Sequence, residues 1–205
     1  MAIVTKYKIN TELPGWTTEK KLNMLAEKAA AVPENGTIVE LGTFCGRSAY
    51  SLGSNKLDSV KLVCVDMFPD NFIQILAKDF PGIEHGFGNL DTPYTWQACS
   101  YALKDVVNLE YLRTVLPLPS FVQIDLEVDL LFIDTVHNAE GVQSDIDQWF
   151  PLLTDNAVVV FDDYCDVFPE YSEIIDKHLL TLDVQNREVY EHALWVQLGK
   201  KEENK

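Results

Sequence analysis

The sequence predicts an α/β protein with a doubly wound, mostly parallel sheet that is covered by helices on both faces. Two observations support this fold class. Short, continuous apolar runs recur along the chain, as expected for strands of a parallel sheet whose two faces are both buried. Segments with a helical pattern alternate with these runs, and such alternation is typical of doubly wound sheets.

The first predicted helix has apolar side chains at i, i+3, i+4 and i+7, namely Leu22, Leu25, Ala26 and Ala29. Thr17 or Thr18 can cap its start, and Pro33 followed by Asn35 and Gly36 ends it. A later segment has a similar helical pattern, formed by Val142, Ile146, Trp149 and Leu153. Both patterns predict helices with one buried face.

Four short apolar runs are predicted strands, at residues 38–41, 62–65, 130–133 and 158–161. Residues 193–198 are predicted to form a late edge strand. The sequence contains no internal repeat and no linker, so we expect residues 1–205 to form one domain with a polar tail from about residue 199. The least patterned region, residues 81–96, is expected to be a connection that covers the site.

The charge of the chain narrows the classes of partner. Sixteen basic and 32 acidic residues give a net charge of -16 at pH 7. Such a surface repels phosphates and anionic lipids, so we expect no nucleic-acid partner and no membrane. Without a targeting signal or an apolar run of ~20 residues, the expectation is a cytoplasmic protein. The four cysteines are widely spaced, which favours separate buried thiols over a disulfide or zinc site.

Acidic residues follow three of the predicted strands. Asp66 comes after residues 62–65, Asp134 after residues 130–133, and the pair Asp162 and Asp163 after residues 158–161. Because ligands of an open parallel sheet bind at the carboxyl ends of its strands, these acids are candidates for a functional site.

The segment VELGTFCGRS, residues 39–48, reads as a strand end, a glycine loop and a helix start. Gly42 and Gly46 permit a tight turn, and the first backbone N–H groups of the following helix face a ligand. Asp66 lies about twenty residues beyond the loop, where an acid commonly accepts the hydroxyls of a ribose. The loop has neither the G-x-G-x-x-G spacing of a dinucleotide site nor the Lys-Ser/Thr of a P-loop. An adenosine-type cofactor is therefore the prediction.

A family resemblance rests on four blocks in this order: GWTTEKKLNMLAEKAAAVPENGTIVELGTFCGRSAYSLG, VCVDMF, DLLFIDTVHNAEGVQSDIDQWFPLL and AVVVFDDY. Over about residues 16–180 the chain resembles the class I S-adenosylmethionine-dependent methyltransferases, and within them the branch of macrocin O-methyltransferase-like and cephalosporin-hydroxylase-like proteins. The resemblance implies a Rossmann-like, seven-stranded sheet with an antiparallel edge strand. It also implies S-adenosylmethionine as the cofactor.

The resemblance implies that the cofactor contacts residues at the ends of three strands, namely Glu40, Gly42, Thr43, Gly46, Ser48, Asp66, Met67 and Asp134. The glycine-loop residues would hold the methionine part and the ribose. Asp66 would bind the ribose, and Met67 with Phe68 would lie against the adenine. Asp134 would lie beside the methyl group and the acceptor.

The block FIDTVHNAEG departs from the family pattern. Relatives of this branch usually carry FIDGDH, whereas Thr135 and Val136 here replace the glycine and the second acid, while Asp134 and His137 remain. Asp134 and His137 are the predicted catalytic residues, with His137 removing a proton from an acceptor hydroxyl. The alternative is that His137 only caps or orients the helix that starts near Asn138.

The acids after residues 158–161 also have two interpretations. Asp134, Asp162 and Asp163 could supply oxygen ligands for Mg²⁺, which would orient an acceptor hydroxyl and lower its pKa. Adjacent acids at a strand end can equally face water. The resemblance includes relatives that use a divalent metal, so Mg²⁺ is a possible cofactor.

Together these observations predict an O-methyltransferase that acts on a hydroxyl of a small molecule or sugar. One alternative is a protein that binds S-adenosylmethionine without methyl transfer, which the change at Thr135 and Val136 makes plausible. A less favoured alternative is a nicotinamide-dependent oxidoreductase, because the loop lacks a third glycine. The expected partner is a small-molecule acceptor, with a homo-oligomer as a further possibility.

Overall fold

The computed structural model describes residues 6–69, 95–119 and 122–200. Of the connection predicted at residues 81–96, only the last two residues fall within the described ranges, where they begin a helix. The helices are α1 (Glu19–Ala30), α2 (Arg47–Asn55), α3 (Thr95–Ala102), α4 (Ala139–Trp149) and α5 (Pro169–Leu179). The strands are β1 (Thr37–Leu41), β2 (Lys61–Asp66), β3 (Leu109–Arg113), β4 (Val128–Ile133), β5 (Leu153–Phe161), β6 (Val184–Tyr190) and β7 (Ala193–Leu198).

The strands form one sheet in the order β3-β2-β1-β4-β5-β7-β6. The first five strands in this order pair in parallel, whereas β7 runs antiparallel to both β5 and β6. The predicted fold class, a Rossmann-like and mostly parallel seven-stranded sheet, is confirmed. The strand predicted at residues 193–198 is β7, and it lies one position inside the edge because β6 pairs along its outer side.

Starting from the central strand β1, the chain adds strands first on one side of β1 and then on the other. From β1 it continues outward through β2 and β3, and it then returns to place β4 on the other side of β1. Such a reversal creates a crevice at the carboxyl ends of the two central strands, which is where open α/β sheets bind their ligands. The fold therefore places the ends of β1 and β4 side by side.

Both faces of the sheet are covered, which explains the continuous apolar runs of the central strands. Side chains of a strand alternate between the two faces. One core joins the sheet to α1, α2 and α3 and includes Ile38, Leu62 and Leu130. The other joins it to α4 and α5 and includes Val39 and Leu131.

The first helix follows its sequence signals. Thr18 is the residue before α1, and its hydroxyl accepts a hydrogen bond from the Lys21 backbone N–H at 3.2 Å. This satisfies one of the free donors at the helix start. The predicted apolar stripe is buried, and the helix ends at Ala30, three residues before Pro33.

One helical assignment from the sequence was wrong in its last residue. Leu153 does not continue the helix of Val142 and Trp149, because α4 ends at Trp149 and a short 3₁₀ turn, Phe150–Leu152, follows. Leu153 is instead the first residue of β5. Among the described helices, none has the length and apolarity that a bilayer span requires.

Candidate active site

The glycine loop joins β1 to α2 at the centre of the crevice. Gly42 and Gly46 have φ values of 88° and 86°, in the left-handed region that glycine adopts without strain. A Cβ atom on Gly42 would lie 1.8 Å from the backbone oxygen of Asp134. The backbone of the loop therefore lies directly against the end of β4, with no room for a side chain between them.

Glu40 is a fully buried carboxyl two residues before this loop. Burial raises its pKa from the ordinary 4.5 to about 8, and the negative charges of Asp134 and Asp66 add to the increase. The hydroxyls of Ser48 and Thr43 lie near enough to oppose the increase, but neither oxygen of Glu40 has a well-formed hydrogen bond among the described residues. Burial thus favours the protonated form of Glu40 beneath the loop.

The start of α2 presents further polar groups at the loop. Gly46 precedes the helix, so no side chain caps its first N–H groups. Thr43 and Ser48 are both buried, and within the described ranges the Thr43 hydroxyl has no hydrogen-bond partner. Both side chains thus lie at the glycine loop, and their role in binding a cofactor stays a prediction.

Residues before α1 pack on the outside of the loop. The rings of Trp16 and Phe44 stack with centroids 5.5 Å apart and an interplanar angle of 21°. The Arg47 guanidinium donates a hydrogen bond to the carbonyl of Gly15. The loop is thus held from one side by β4 and from the other by this preceding segment.

Asp66, at the end of β2, accepts hydrogen bonds from two backbone N–H groups. The donors are Phe44 in the glycine loop, at 2.8 Å, and Phe68, at 2.6 Å. Burial raises the Asp66 pKa, and the two backbone donors oppose this increase. Because each carboxylate oxygen can accept a further hydrogen bond, Asp66 retains capacity for ligand hydroxyls at the loop.

The residues after Asp66 do not share one role. Met67 is half exposed and lines a groove of about 540 Å³ together with Pro69, Arg113, Thr114 and Val115. The predicted contact of Phe68 with an adenine is wrong, because Phe68 is buried in the core. A larger groove of about 630 Å³ lies at the amino ends of β2 and β3, away from the loop.

His137 lies between two carboxylates at the end of β4. Its Nε2 atom is 3.7 Å from Oδ1 of Asp134 and 3.3 Å from Oδ2 of Asp163. The imidazole also packs against the rings of Phe168 and Tyr171, with centroids 5.1 and 5.7 Å away. The predicted pair Asp134 and His137 is therefore brought together, and Asp163 joins it.

The electrostatics of His137 combine two opposing effects. Burial lowers the pKa of the imidazole, but the carboxylates of Asp134, Asp163 and Asp162 outweigh burial, so that its pKa is raised above 6.5. The capping interpretation of His137 is not supported, because the Asn138 side chain accepts the hydrogen bond from the Gly141 N–H, at 2.8 Å.

Asp162 and Asp163 point in different directions. Asp162 is buried, and its Oδ1 atom is 2.6 Å from the Nζ atom of Lys21 on α1. Asp163 adopts a left-handed backbone conformation with φ of 51°, and its carboxylate approaches His137 on the side of α4 and α5. The two acids, although adjacent in sequence, thus contact different side chains.

This division does not support the predicted Mg²⁺ site. A hard divalent cation needs several oxygen ligands directed at one point. The Asp162 carboxylate is paired with an ammonium group and the Asp163 carboxylate approaches an imidazole. In the described part of the chain, no group of three or more His, Cys, Asp or Glu side chains is arranged to hold a metal ion.

The residues that differ from the family pattern have defined contacts. The Thr135 hydroxyl donates a hydrogen bond of 2.6 Å to Asp145, a buried acid of α4 whose pKa is raised by burial to about 6. Val136 is half exposed and lies over Gly141, where an added Cβ would be 2.3 Å from a Val136 methyl group. The turn after β4 is thus packed around these substitutions.

Two charged residues of the site were missed by sequence reasoning. Lys21 precedes Leu25 by one helical turn on the buried face of α1, and Asp145 lies between Val142 and Trp149 on the buried face of α4. A charged residue on an apolar stripe is the signal that could have identified both, because a buried charge needs a partner.

The chain is similar to methyltransferases in sequence and in structure. A family model described as a methyltransferase domain matches residues 39–164. A solved structure from Corynebacterium glutamicum has a TM-score of 0.64 and 14% identity, over 94% of this chain and 86% of that one. The O-methyltransferase NovP has a TM-score of 0.62 and 14% identity, over 88% and 80% of the two chains.

A further similar structure is the O-methyltransferase TomG from Streptomyces achromogenes, solved in complex with S-adenosylmethionine. Its TM-score is 0.58 at 15% identity, over 91% of this chain and 82% of that one. No curated protein matches the chain. At identities of this size, structural similarity establishes the fold.

The close approach of the loop to β4 predicts the effect of Gly42→Ala. Its Cβ would clash with the Asp134 carbonyl, so we expect a loss of at least about 2 kcal/mol in the free energy of unfolding. Gly46→Ala is the matched control, because its φ is similar but the nearest atom to its Cβ would be the Cys99 sulfur at 3.2 Å. Urea denaturation of both variants should show the larger loss for Gly42→Ala, and equal losses would contradict the steric explanation.

The raised pKa of Glu40 predicts a pH-dependent effect of Glu40→Gln. Between pH 4.5 and 8 the folded wild type holds a proton that the unfolded chain releases, so its stability falls as pH rises through this window. The variant has no ionisable group at this position and therefore lacks this pH-dependent loss of stability. At about 1.4 kcal/mol per pKa unit, we expect it to gain on the order of a few kcal/mol relative to wild type between pH 5 and 9.

Denaturant titrations at several pH values test this expectation. Glu34→Gln is the control, because Glu34 is exposed in the turn before β1. A difference between wild type and Glu40→Gln that stays constant with pH would show that Glu40 is ionised in the folded protein.

Proposed function

The chain belongs to the methyltransferase domain family, and from this premise we propose that it transfers a methyl group from S-adenosylmethionine to a hydroxyl of a small molecule or sugar. The family match covers more than half of the chain. The observation that carries the proposal is the glycine loop with Asp66 beside it, at the point where the chain reverses across the sheet. A nicotinamide-dependent oxidoreductase is not supported by the family match.

Several features of the loop fit this cofactor. Asp66 has hydrogen-bonding capacity for ribose hydroxyls, and the groove beside Met67 provides space for a base. The uncapped start of α2 and the buried Thr43 hydroxyl offer polar groups for the amino-acid part. The acids at the edge also favour a cationic ligand, and S-adenosylmethionine carries its positive charge on the sulfonium sulfur.

When bound, this cofactor would supply an electrophilic methyl group, whose bond to sulfur breaks to leave a neutral thioether, and the acceptor oxygen would give up its proton to a residue of this chain. We assign that proton to His137, and the support for this role is its distance of 3.7 Å from Asp134 and 3.3 Å from Asp163. The carboxylates favour the imidazolium, so they stabilise His137 after it has taken the proton. Positioning of the reacting groups supplies much of the remaining effect.

The acceptor class is inferred from charge and from the comparisons. A chain with a net charge of -16 is poorly suited to a polyanionic substrate. NovP and TomG are both O-methyltransferases, which supports oxygen as the acceptor atom. Membership of the macrocin O-methyltransferase-like branch is part of the same proposal and rests on the four sequence blocks.

A second candidate function is binding of S-adenosylmethionine without methyl transfer. The observation that favours it is Val136, an apolar and half-exposed side chain at the position where the resemblance leads us to expect an acid. This candidate shares the cofactor site with the main proposal, but it makes the cluster around His137 a structural feature.

The cofactor assignment predicts the effect of Asp66→Asn. Calorimetry should show that the wild type binds S-adenosylmethionine and that Asp66→Asn binds it at least about tenfold more weakly, because charged hydrogen bonds to the ribose are lost. Asp58→Asn, an exposed acid in the turn before β2, is the control and should bind normally. No binding to wild type at millimolar cofactor, or equal binding by Asp66→Asn, would refute the assignment.

The catalytic assignment predicts the effect of His137→Gln. With methyl-labelled cofactor and a panel of hydroxylated acceptors, we expect the methyl-transfer rate to fall by about 10²- to 10⁴-fold while cofactor affinity stays the same. His192→Gln, an exposed residue in the β6–β7 turn, should retain full activity. Full activity of His137→Gln would remove His137 from the mechanism, and cofactor binding without turnover on any acceptor would favour the second candidate.

A further inference from the structure

A buried lysine reaches the carboxyl edge of the sheet from α1. The Nζ atom of Lys21 is 2.6 Å from Oδ1 of Asp162, and the two side chains are 9% and 6% exposed. Asp162 is itself fixed, because its N–H donates to the Ile133 carbonyl at 2.9 Å and its own carbonyl accepts from the Tyr171 hydroxyl at 3.0 Å. The ammonium group is therefore held at a defined place beside the end of β5.

The position of this ammonium group determines what else can bind there. Asp134, Asp162 and Asp163 are the acids that would have to share a divalent cation at this edge. A cation of that kind needs direct contact with several carboxylate oxygens at about 2.0–2.6 Å. Lys21 already contacts Asp162, and the imidazole of His137 lies 3.3 Å from Asp163. The chain thus supplies its own cationic and polar groups to these carboxylates.

We propose that the Lys21 ammonium takes the place of a divalent cation at the carboxyl edge, so that the acid cluster of this protein works without a bound metal. The proposal rests on the proposed function in so far as the cluster is the methyl-transfer site. Its central claim, the replacement of a metal by a side chain, concerns Lys21 and Asp162 alone.

Lys21 is a positioning residue in this scheme. It is too buried to contact an acceptor, but it offsets the charge of Asp162 and joins α1 to the end of β5. Asp134 and Asp163 then remain directed at His137. If the ion pair only held α1 against β5, its loss would lower stability without creating a Mn²⁺ site at the three acids, so the Mn²⁺ affinity of the Lys21 variant gives the test its readout.

The test is a titration with Mn²⁺, followed by electron paramagnetic resonance, of wild type and of Lys21→Met, each with and without S-adenosylmethionine. We expect wild type to show no site tighter than about 1 mM. Removal of the ammonium leaves Asp162 without its cation, so Lys21→Met should bind Mn²⁺ at least about tenfold more tightly than wild type. Lys20→Met, an exposed neighbour on α1 that pairs with Glu191, should behave like wild type.

Two outcomes would overturn the proposal. One is micromolar Mn²⁺ binding by wild type that Asp162→Asn abolishes, and the other is a folded Lys21→Met variant whose Mn²⁺ affinity is unchanged. If Lys21→Met does not fold, as judged by circular dichroism, the wild-type titration decides alone. No step of this test requires methyl transfer, so failure of the proposed function and failure of this inference are separable.

Discussion

The candidate site depends on the contact between the glycine loop and the end of β4. Gly42 lies so close to the Asp134 carbonyl that no side chain fits, and the Asp134 N–H donates to the Leu41 carbonyl at 2.9 Å. This contact fixes the loop, which then donates the Phe44 N–H to Asp66. The separation between the glycine loop and the acids near His137 is therefore set by backbone atoms, and side-chain substitutions at the rim leave it in place.

A second constraint is the concentration of negative charge at one edge of the sheet. Five carboxyl groups lie there, and their negative charges are offset in different ways. Burial favours the protonated form of Glu40, backbone N–H groups bond to Asp66, and Lys21 pairs with Asp162. Asp134 and Asp163 share His137. Because the compensation is local and specific, the edge can remain acidic enough to favour a cationic ligand without losing its structure.

Much of this fold was readable from the sequence, and the exceptions have physical causes. The central strands are buried on both faces, so their apolar runs were visible, but β3 and β6 lie at the two edges of the sheet and contain no fully buried residue. The shared location of the acids also followed from their strand ends. The partners of these acids could not be predicted from the sequence. Asp162 and Asp163 point to opposite faces of the sheet, and the side chains that contact them come from α1 and from the turn after β4.

The turn after β4 determines which side chains are available to remove a proton from an acceptor hydroxyl. Val136 has no acid–base group, so under the proposed function the proton of the acceptor must be taken by other side chains near this turn. The Thr135 hydroxyl donates a hydrogen bond to Asp145, and Asp162 forms an ion pair with Lys21. The remaining groups are Asp134, His137 and Asp163, and each of these two carboxylates lies within 3.7 Å of the imidazole Nε2. Under the proposed function, removal of the acceptor proton therefore depends on this cluster, in which His137 is the group that takes the proton and the neighbouring carboxylates stabilise its imidazolium form.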